Sequence, residues 1–313
     1  MRQLTGAIPA FTMKRADRHV AITDGRDPDG NVIELQEVAG GEHRIALLYH
    51  RLRSENTKPN ARQVPPLLVG EAVDLPLRGE LRYGLELTRL VCDPAFLHPV
   101  RQADAPPVLL VPGFMAGDAS LAVLRGWLRG RGSRTSSAGM RLNVDCRERA
   151  VGRLEVRLRN LAEATGRRAV VIGQSRGGEL ARVLAVRNPD AVGGLVMLGS
   201  PVVEPVSVGR AVLSALRSVA RLGDLGVPGM FSNRCADGDC CAAFRADIRA
   251  ALRPDVRAVA IYSRSDGIVS WRACLDPDAR QVEVESSHTG MSVNLAVYRV
   301  LAEILEEEPA WSG

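Results

Sequence analysis

The sequence predicts an α/β fold: a mostly parallel sheet with helices on both faces and a helical segment inserted late in its topology. Three observations predict it. Short, wholly apolar runs such as Pro107–Val111 and Leu195–Leu198 have the length of buried strands and none of the polar alternation of half-exposed ones. Helical patterns stand between these runs at regular spacing. The alternation fails once, between Pro201 and Asp255.

The elements follow in order. Residues 1–65 read as an N-terminal extension, partly irregular or disordered. It has turn-rich pieces at Asp24–Gly30 and Asn56–Asn60, and a hairpin where Asn31–Leu35 and Arg44–Leu48 alternate. Residues 66–313 form the main domain. Glu80–Leu90 has helical spacing at Leu81, Leu85, Leu87 and Leu90. Pro107–Val111 is a strand ending in the turn Pro112-Gly113. Asp118–Gly130 is a helix with Asp118 as N-cap and Leu121, Leu124, Trp127 and Leu128 on one face. Arg149–Thr165 is the next helix, stopped by Gly166. Then come the strand Ala169–Ile172, the helix Arg176–Arg187 and the strand Gly194–Leu198. Strands at Val256–Tyr262 and Gln281–Val284 precede a closing helix, Met291–Glu307.

The segment 201–255 has the character of a cap. It carries an amphipathic helix with Val208, Val212, Ala215, Leu216, Val219 and Leu222 on one side and Arg210, Arg217 and Arg221 off it. A Gly/Pro-rich loop follows, and then Cys235, Cys240 and Cys241. Zinc would need a second pair of ligands or a nearby histidine, and the local sequence has neither. The reading for this loop is a local disulfide or reduced thiols.

The strongest chemical signal is Gly173-Gln174-Ser175-Arg176-Gly177, a G-x-S-x-G with a buried strand before it and a helix directly after. Such a turn brings backbone close on both sides of the serine, so Gly173 and Gly177 cannot carry side chains. The helix behind Ser175 aims free N–H groups at a developing oxyanion. A serine hydroxyl needs a base to become nucleophilic. On a parallel sheet the order is serine, acid, histidine, and His288 is the one histidine after Ser175. Asp266 follows the strand Val256–Tyr262 at its carboxyl end, where open parallel sheets place their sites. Asp276 and Asp278 compete for the role but lie in a later Pro-containing turn. The oxyanion donors are the backbone N–H groups of Arg176 and Phe114, with Met115 next in line. Met115, Gln174, Val212 and Leu216 are candidates for contacting substrate.

These residues carry a resemblance. Pro112–Asp118 reads P-G-F-x-A-G-D, Gly173–Gly178 reads G-x-S-x-G-G, Tyr262–Val269 reads Y-S-x-x-D-G-I-V, and Ser286–Met291 reads S-S-H-x-G-M. From Gly79 to about Glu307 the chain resembles bacterial, actinobacterial-type α/β-hydrolases of the serine esterase/lipase kind. It departs from many lipases at Pro112-Gly113, where His-Gly is usual, and at Gln174 and Arg176 beside the serine. The resemblance implies hydrolysis of a small-molecule or lipid ester through an acyl-enzyme, with no metal or organic cofactor. An acyltransferase or thioesterase would use the same residues, and a silent hydrolase fold used for binding is the alternative from another class.

Composition narrows the rest. Of 41 basic residues only Lys14 and Lys58 are lysine, and the arginines are interleaved with acids. With aromatics at 4%, the net charge of +5 lacks the basic, stacking surface of a nucleic-acid binder. No apolar run reaches the roughly 18 residues of a membrane span. The first 20 residues hold no signal-like apolar block, so the expected location is cytoplasmic.

Overall fold

The computed structural model describes the backbone of four strands between residues 12 and 50, residue 75, and residues 77–203 and 208–306. The chain divides into two compact units, Met1–Val64 and Pro65–Gly313. In the first, β1 (Thr12–Ala16), β2 (Val20–Arg26), β3 (Val32–Val38) and β4 (Ala46–His50) pair in that order as an antiparallel meander. The sequence signalled one hairpin only. Its two alternating stretches fall largely on β3 and β4, which pair with Leu35 opposite Leu47. β2 runs through Asp24-Gly25-Arg26, which had the composition of a turn. Asn56–Asn60 lies outside the described residues.

The second unit is built on β5 (Val108–Val111), β6 (Thr135–Ser137), β7 (Ala169–Gln174), β8 (Val192–Leu198), β9 (Arg257–Tyr262) and β10 (Arg280–Glu283). They lie in the order β10-β9-β8-β7-β5-β6, and every pairing is parallel. The helices are α1 (Tyr83–Val91), α2 (Ala122–Gly130), α3 (Arg147–Thr165), α4 (Arg176–Arg187), α5 (Arg210–Asp224), α6 (Ala242–Asp247) and α7 (Leu295–Glu306). Side chains alternate along each strand, so the sheet has two apolar faces. Leu109, Val111, Val171, Leu195 and Met197 meet Leu154 and Leu158 of α3 and Leu180 and Leu184 of α4. Val108, Leu110, Ile172, Val196 and Leu198 meet Leu124 and Leu128 of α2 and Val297 and Leu301 of α7. Covering both faces is what makes these strands read as unbroken apolar runs.

Chain order sets where a site can form. From β5 the chain moves outward to β6, then returns to lay β7 on the other side of β5. The carboxyl ends of β5 and β7 thus flank a topological switch point, where the connections diverge and open a crevice. Val111 pairs with Gly173 at this edge, so the turns after β5 and β7 emerge side by side.

Four local readings change. β6 was not foreseen, because Thr135-Ser136-Ser137 has no apolar signal and sits at the sheet edge against β5 alone. Asp118 does not cap α2. It opens a 3-10 turn, Asp118–Leu121, and its Oδ2 accepts the Gly139 N–H at 2.9 Å. The closing helix begins at Leu295 because Asn294 is extended and bonds the Ala296 N–H through Oδ1 at 2.9 Å, and Glu307 lies outside the described residues. In α1 the buried residues are Glu86 and Leu90, while Leu85, and Leu81 in the 3-10 turn Leu77–Arg82 before it, face solvent.

Between β8 and β9 the chain leaves the sheet for α5, a helical turn at Arg234–Asp237, a 3-10 turn at Asp239–Cys241, and α6. Residues 204–207 of this insertion lie outside the described residues. Its entry is tied down by an antiparallel bridge between Val208 and Val269 and by Gly209 N–H to Ile268 O at 2.9 Å. α5 divides its apolar residues: Leu213 packs with Val208, Val269 and Ala273, Val219 joins the main core with Phe231, and Leu222 stays exposed. Among the described residues no helix is long and apolar enough to cross a membrane.

Candidate active site

Ser175 sits between β7 and α4 with φ 52° and ψ −127°. That backbone costs an L-residue of order 1–3 kcal/mol and persists only where its surroundings enforce it. Met115 is the other described non-glycine residue at positive φ, and it belongs to the turn after β5. Both strained residues thus stand at the switch point. The flanking glycines are sterically required: a Cβ on Gly173 would strike the Gly177 backbone, and one on Gly177 would strike the carbonyls of Val111 and Pro112. A Cβ on Gly113 would come within 3.3 Å of the Ser175 Cβ.

Asp266 and His288 form a buried pair. Asp266 Oδ2 stands 2.6 Å from His288 Nδ1, and the two residues are 3% and 5% exposed. Asp266 Oδ1 accepts the N–H groups of Ile268 and Val269, each at 2.8 Å, so the carboxylate is oriented from its far side. With Nδ1–H donating to the carboxylate, Nε2 is the ring's basic nitrogen. Burial works against a charged His288. The charge of Asp266 and its hydrogen bond, helped by the charge of Glu80, outweigh that and raise the pKa above 6.5. Asp276 and Asp278 are engaged elsewhere, paired with Arg182 at 2.6 and 3.0 Å.

Two acids that sequence reasoning missed hold the histidine loop. Glu80 Oε1 accepts the N–H groups of His288 at 2.9 Å and Gly267 at 3.1 Å, and Oε2 accepts the Thr289 N–H at 2.9 Å and its hydroxyl at 2.8 Å. Burial alone would raise the Glu80 pKa, but these bonds lower it, so the carboxylate is charged. Glu86 accepts the Ser287 N–H and hydroxyl, both at 2.7 Å. This explains why α1 turns a glutamate inward. No local signal marks either residue, since their partners lie 187 to 209 positions along the chain. Gln174 completes the support by donating Nε2–H to the His288 carbonyl at 3.0 Å.

The turn after β5 is held by Asn143, a third residue that sequence reasoning missed. Its Nδ2 donates to Pro112 O at 2.8 Å, its N–H to Ala116 O at 2.8 Å, and its carbonyl accepts the Met115 N–H at 3.3 Å. Its Oδ1 also accepts from Arg176 Nε at 3.2 Å. The Arg176 guanidinium bonds the Asp145 carbonyl too and lies over the Phe231 ring, and burial first, with Arg147 nearby, pushes its pKa down to about 10. The side chain of Arg176 therefore points away from the serine, and its backbone N–H is the first of α4, with no partner inside the helix.

A cavity of about 260 Å³ opens at this edge, with Ser175, His288, Phe114, Gln174, Val212 and Leu216 in its wall. Arg176 also contributes to the lining, whereas Met115, expected to contact substrate, does not. The Met115 side chain is half-exposed, because its bonded N–H and positive φ turn it outward.

No family model and no curated protein matches the sequence. Solved structures do. The mature form of a lipase from Bacillus licheniformis superposes with TM-score 0.50 at 15% identity, over 66% of this chain and 95% of that one. The chain adopts the α/β-hydrolase fold. A monoacylglycerol lipase from Paleococcus ferrophilus gives TM-score 0.44 at 15% identity, over 65% of this chain and 96% of that one. An α/β-hydrolase scaffold hosts many chemistries, so the fold by itself assigns none.

Proposed function

We propose that the protein is a serine hydrolase of carboxylic esters, with Ser175 as nucleophile, His288 as general base and Asp266 as the acid that orients it. One observation carries the reading: the strained Ser175 turn borders the same cavity as His288, whose ring is held by the buried Asp266 carboxylate. His288 Nε2 takes the hydroxyl proton as Ser175 Oγ attacks the ester carbonyl. Asp266 stabilises the imidazolium that forms. The oxyanion is held by the backbone N–H groups of Arg176 and Phe114. Phe114 fills this role rather than Met115, whose N–H is already bonded to Asn143. His288 then protonates the departing alcohol and afterwards activates the water that releases the acid.

In the same reading the 201–255 insertion is a cap. Val212 and Leu216 form the apolar wall met by the acyl chain, while Leu213 and Val219 anchor α5 to the body. The cavity lies just below the range of about 300–1,000 Å³ common for small-molecule sites, which favours short esters over long lipids. The test is labelling with a fluorophosphonate and turnover of short p-nitrophenyl esters. Wild type should be labelled and active. Ser175→Ala should be neither, with an unchanged circular dichroism spectrum. Equal turnover in the two proteins would remove the proposal.

A further inference from the structure

Four cysteines from two distant segments converge beside the insertion. The sulfurs of Cys146, Cys235, Cys240 and Cys241 all lie within 4.8 Å of one another. Cys146 precedes α3 and Cys241 follows 95 residues later, so the ligand set is invisible to a search for local spacing. The separations are Cys146–Cys241 3.4 Å, Cys235–Cys240 3.7 Å and Cys240–Cys241 3.9 Å. A tetrahedron of sulfurs around a metal at about 2.3 Å has edges of about 3.8 Å. These three distances straddle that value, and all exceed the roughly 2.05 Å of a disulfide. The close approaches also run as a chain through four sulfurs rather than as two separate pairs. We propose that Cys146, Cys235, Cys240 and Cys241 form a closed tetrathiolate site for a zinc-class divalent cation, which fastens the insertion to the start of α3.

The surroundings fit such a site. Cys146 is the N-cap residue of α3, at the positive end of that helix's dipole, where a thiolate is favoured. The cleft that opens onto Cys146, Cys235 and Cys240, lined by Arg149 and Arg234 together with Asp145 and Asp239, gives the ion a path. Four soft sulfur donors select zinc over magnesium or calcium. With every position filled by protein, the ion has no place for water and is structural. Binding one divalent cation releases four thiol protons and leaves a site of charge −2, consistent with four thiolates around one metal. The ion would act at a distance on the oxyanion turn, because Cys146 follows directly on Asp145 and Asn143, which fix Arg176 and Pro112.

The test uses the full chain purified under reducing conditions with zinc in the growth medium, and reads metal rather than turnover, so it stands apart from the esterase proposal. Elemental analysis should find zinc at one per chain, released on titration with a mercurial. Cobalt in its place should give the visible bands and sulfur-to-metal charge transfer of a tetrahedral thiolate. Cys146→Ser and Cys240→Ser should lose the metal, and Cys92→Ser, outside the cluster, should keep it. Cys240 is exposed, so Cys240→Ser keeps the test valid if Cys146→Ser fails to fold. A disulfide among the four found by peptide mapping would overturn the proposal. So would four free thiols that take up neither zinc nor cobalt on titration.

Discussion

Glu80 and His288 are joined through the backbone: one carboxylate oxygen of Glu80 accepts the His288 N–H at 2.9 Å across 208 residues of chain. Because the same oxygen takes the Gly267 N–H, the acid loop and the histidine loop share one anchor. Under the proposed mechanism Glu80 would be a positioning residue, bonded to the backbone of both loops and absent from the cavity wall.

Glu80→Gln replaces one acceptor by an amide that faces N–H donors. Turnover should fall roughly 10- to 100-fold through misplacement of the ring, with KM much less affected. The variant also removes a charge that raises the His288 pKa, so the acid limb of the pH profile should move down. A purely structural Glu80 would lower the melting temperature and leave that limb in place.

The wild-type profile has a fixed sign. As the proposed base His288 would work in its neutral form, and its pKa is raised above 6.5, so kcat/KM should climb with pH through a midpoint above that value. Asp266→Asn removes the strongest raising influence. It should lower the midpoint and cost about 10⁴ in kcat, as loss of a triad carboxylate does.

Asp276→Asn should behave in the opposite way. Asp276 and Arg182 are almost wholly buried and paired at 2.6 Å, so breaking the pair should cost about 3–5 kcal/mol of stability. Thermal or urea unfolding would register the loss, while turnover per folded molecule stays near wild type. If Asp276→Asn instead abolished turnover in folded protein, the assignment of Asp266 would be wrong.

Asn143→Asp keeps the shape of the side chain but removes the donor to Pro112 O. The turn that presents the Phe114 N–H should loosen, lowering kcat by up to about 10²-fold while KM changes little. Steady-state kinetics on one short ester decide it, and a rise in KM alone would place Asn143 outside the oxyanion support.

Val212→Phe and Leu216→Phe should shift the preferred ester towards shorter acyl chains, since both residues line the cavity. Val219→Phe should mainly destabilise, by about 1–3 kcal/mol, because Val219 packs in the main core. A chain-length series with melting curves separates the two outcomes.

The parallel sheet was legible because burial on both faces leaves continuous apolar runs, and Ser175 was legible because Gly173 and Gly177 mark its turn locally. Asp266 and His288 could be nominated from chain order, and the structure brings them together. Glu80, Glu86 and Asn143 were not legible. Each bonds backbone groups as well as a side chain, and its partners lie far away in sequence, so no local pattern marks it. Polar β6 and the four-cysteine cluster escaped for a related reason, since their meaning comes from a neighbour remote in sequence.

The span between Glu80 and His288 bears on how the protein comes into being. Pairings so far apart form late, because the closure entropy of the intervening chain is lost before they contribute. During synthesis, which proceeds from the N-terminus, Glu80 and Glu86 emerge long before Ser287, His288 and Thr289 exist to meet them. The nascent chain can therefore assemble β5 to β8 and the serine turn while the crevice beside Ser175 still lacks its histidine, which arrives only when the last strand and its loop dock.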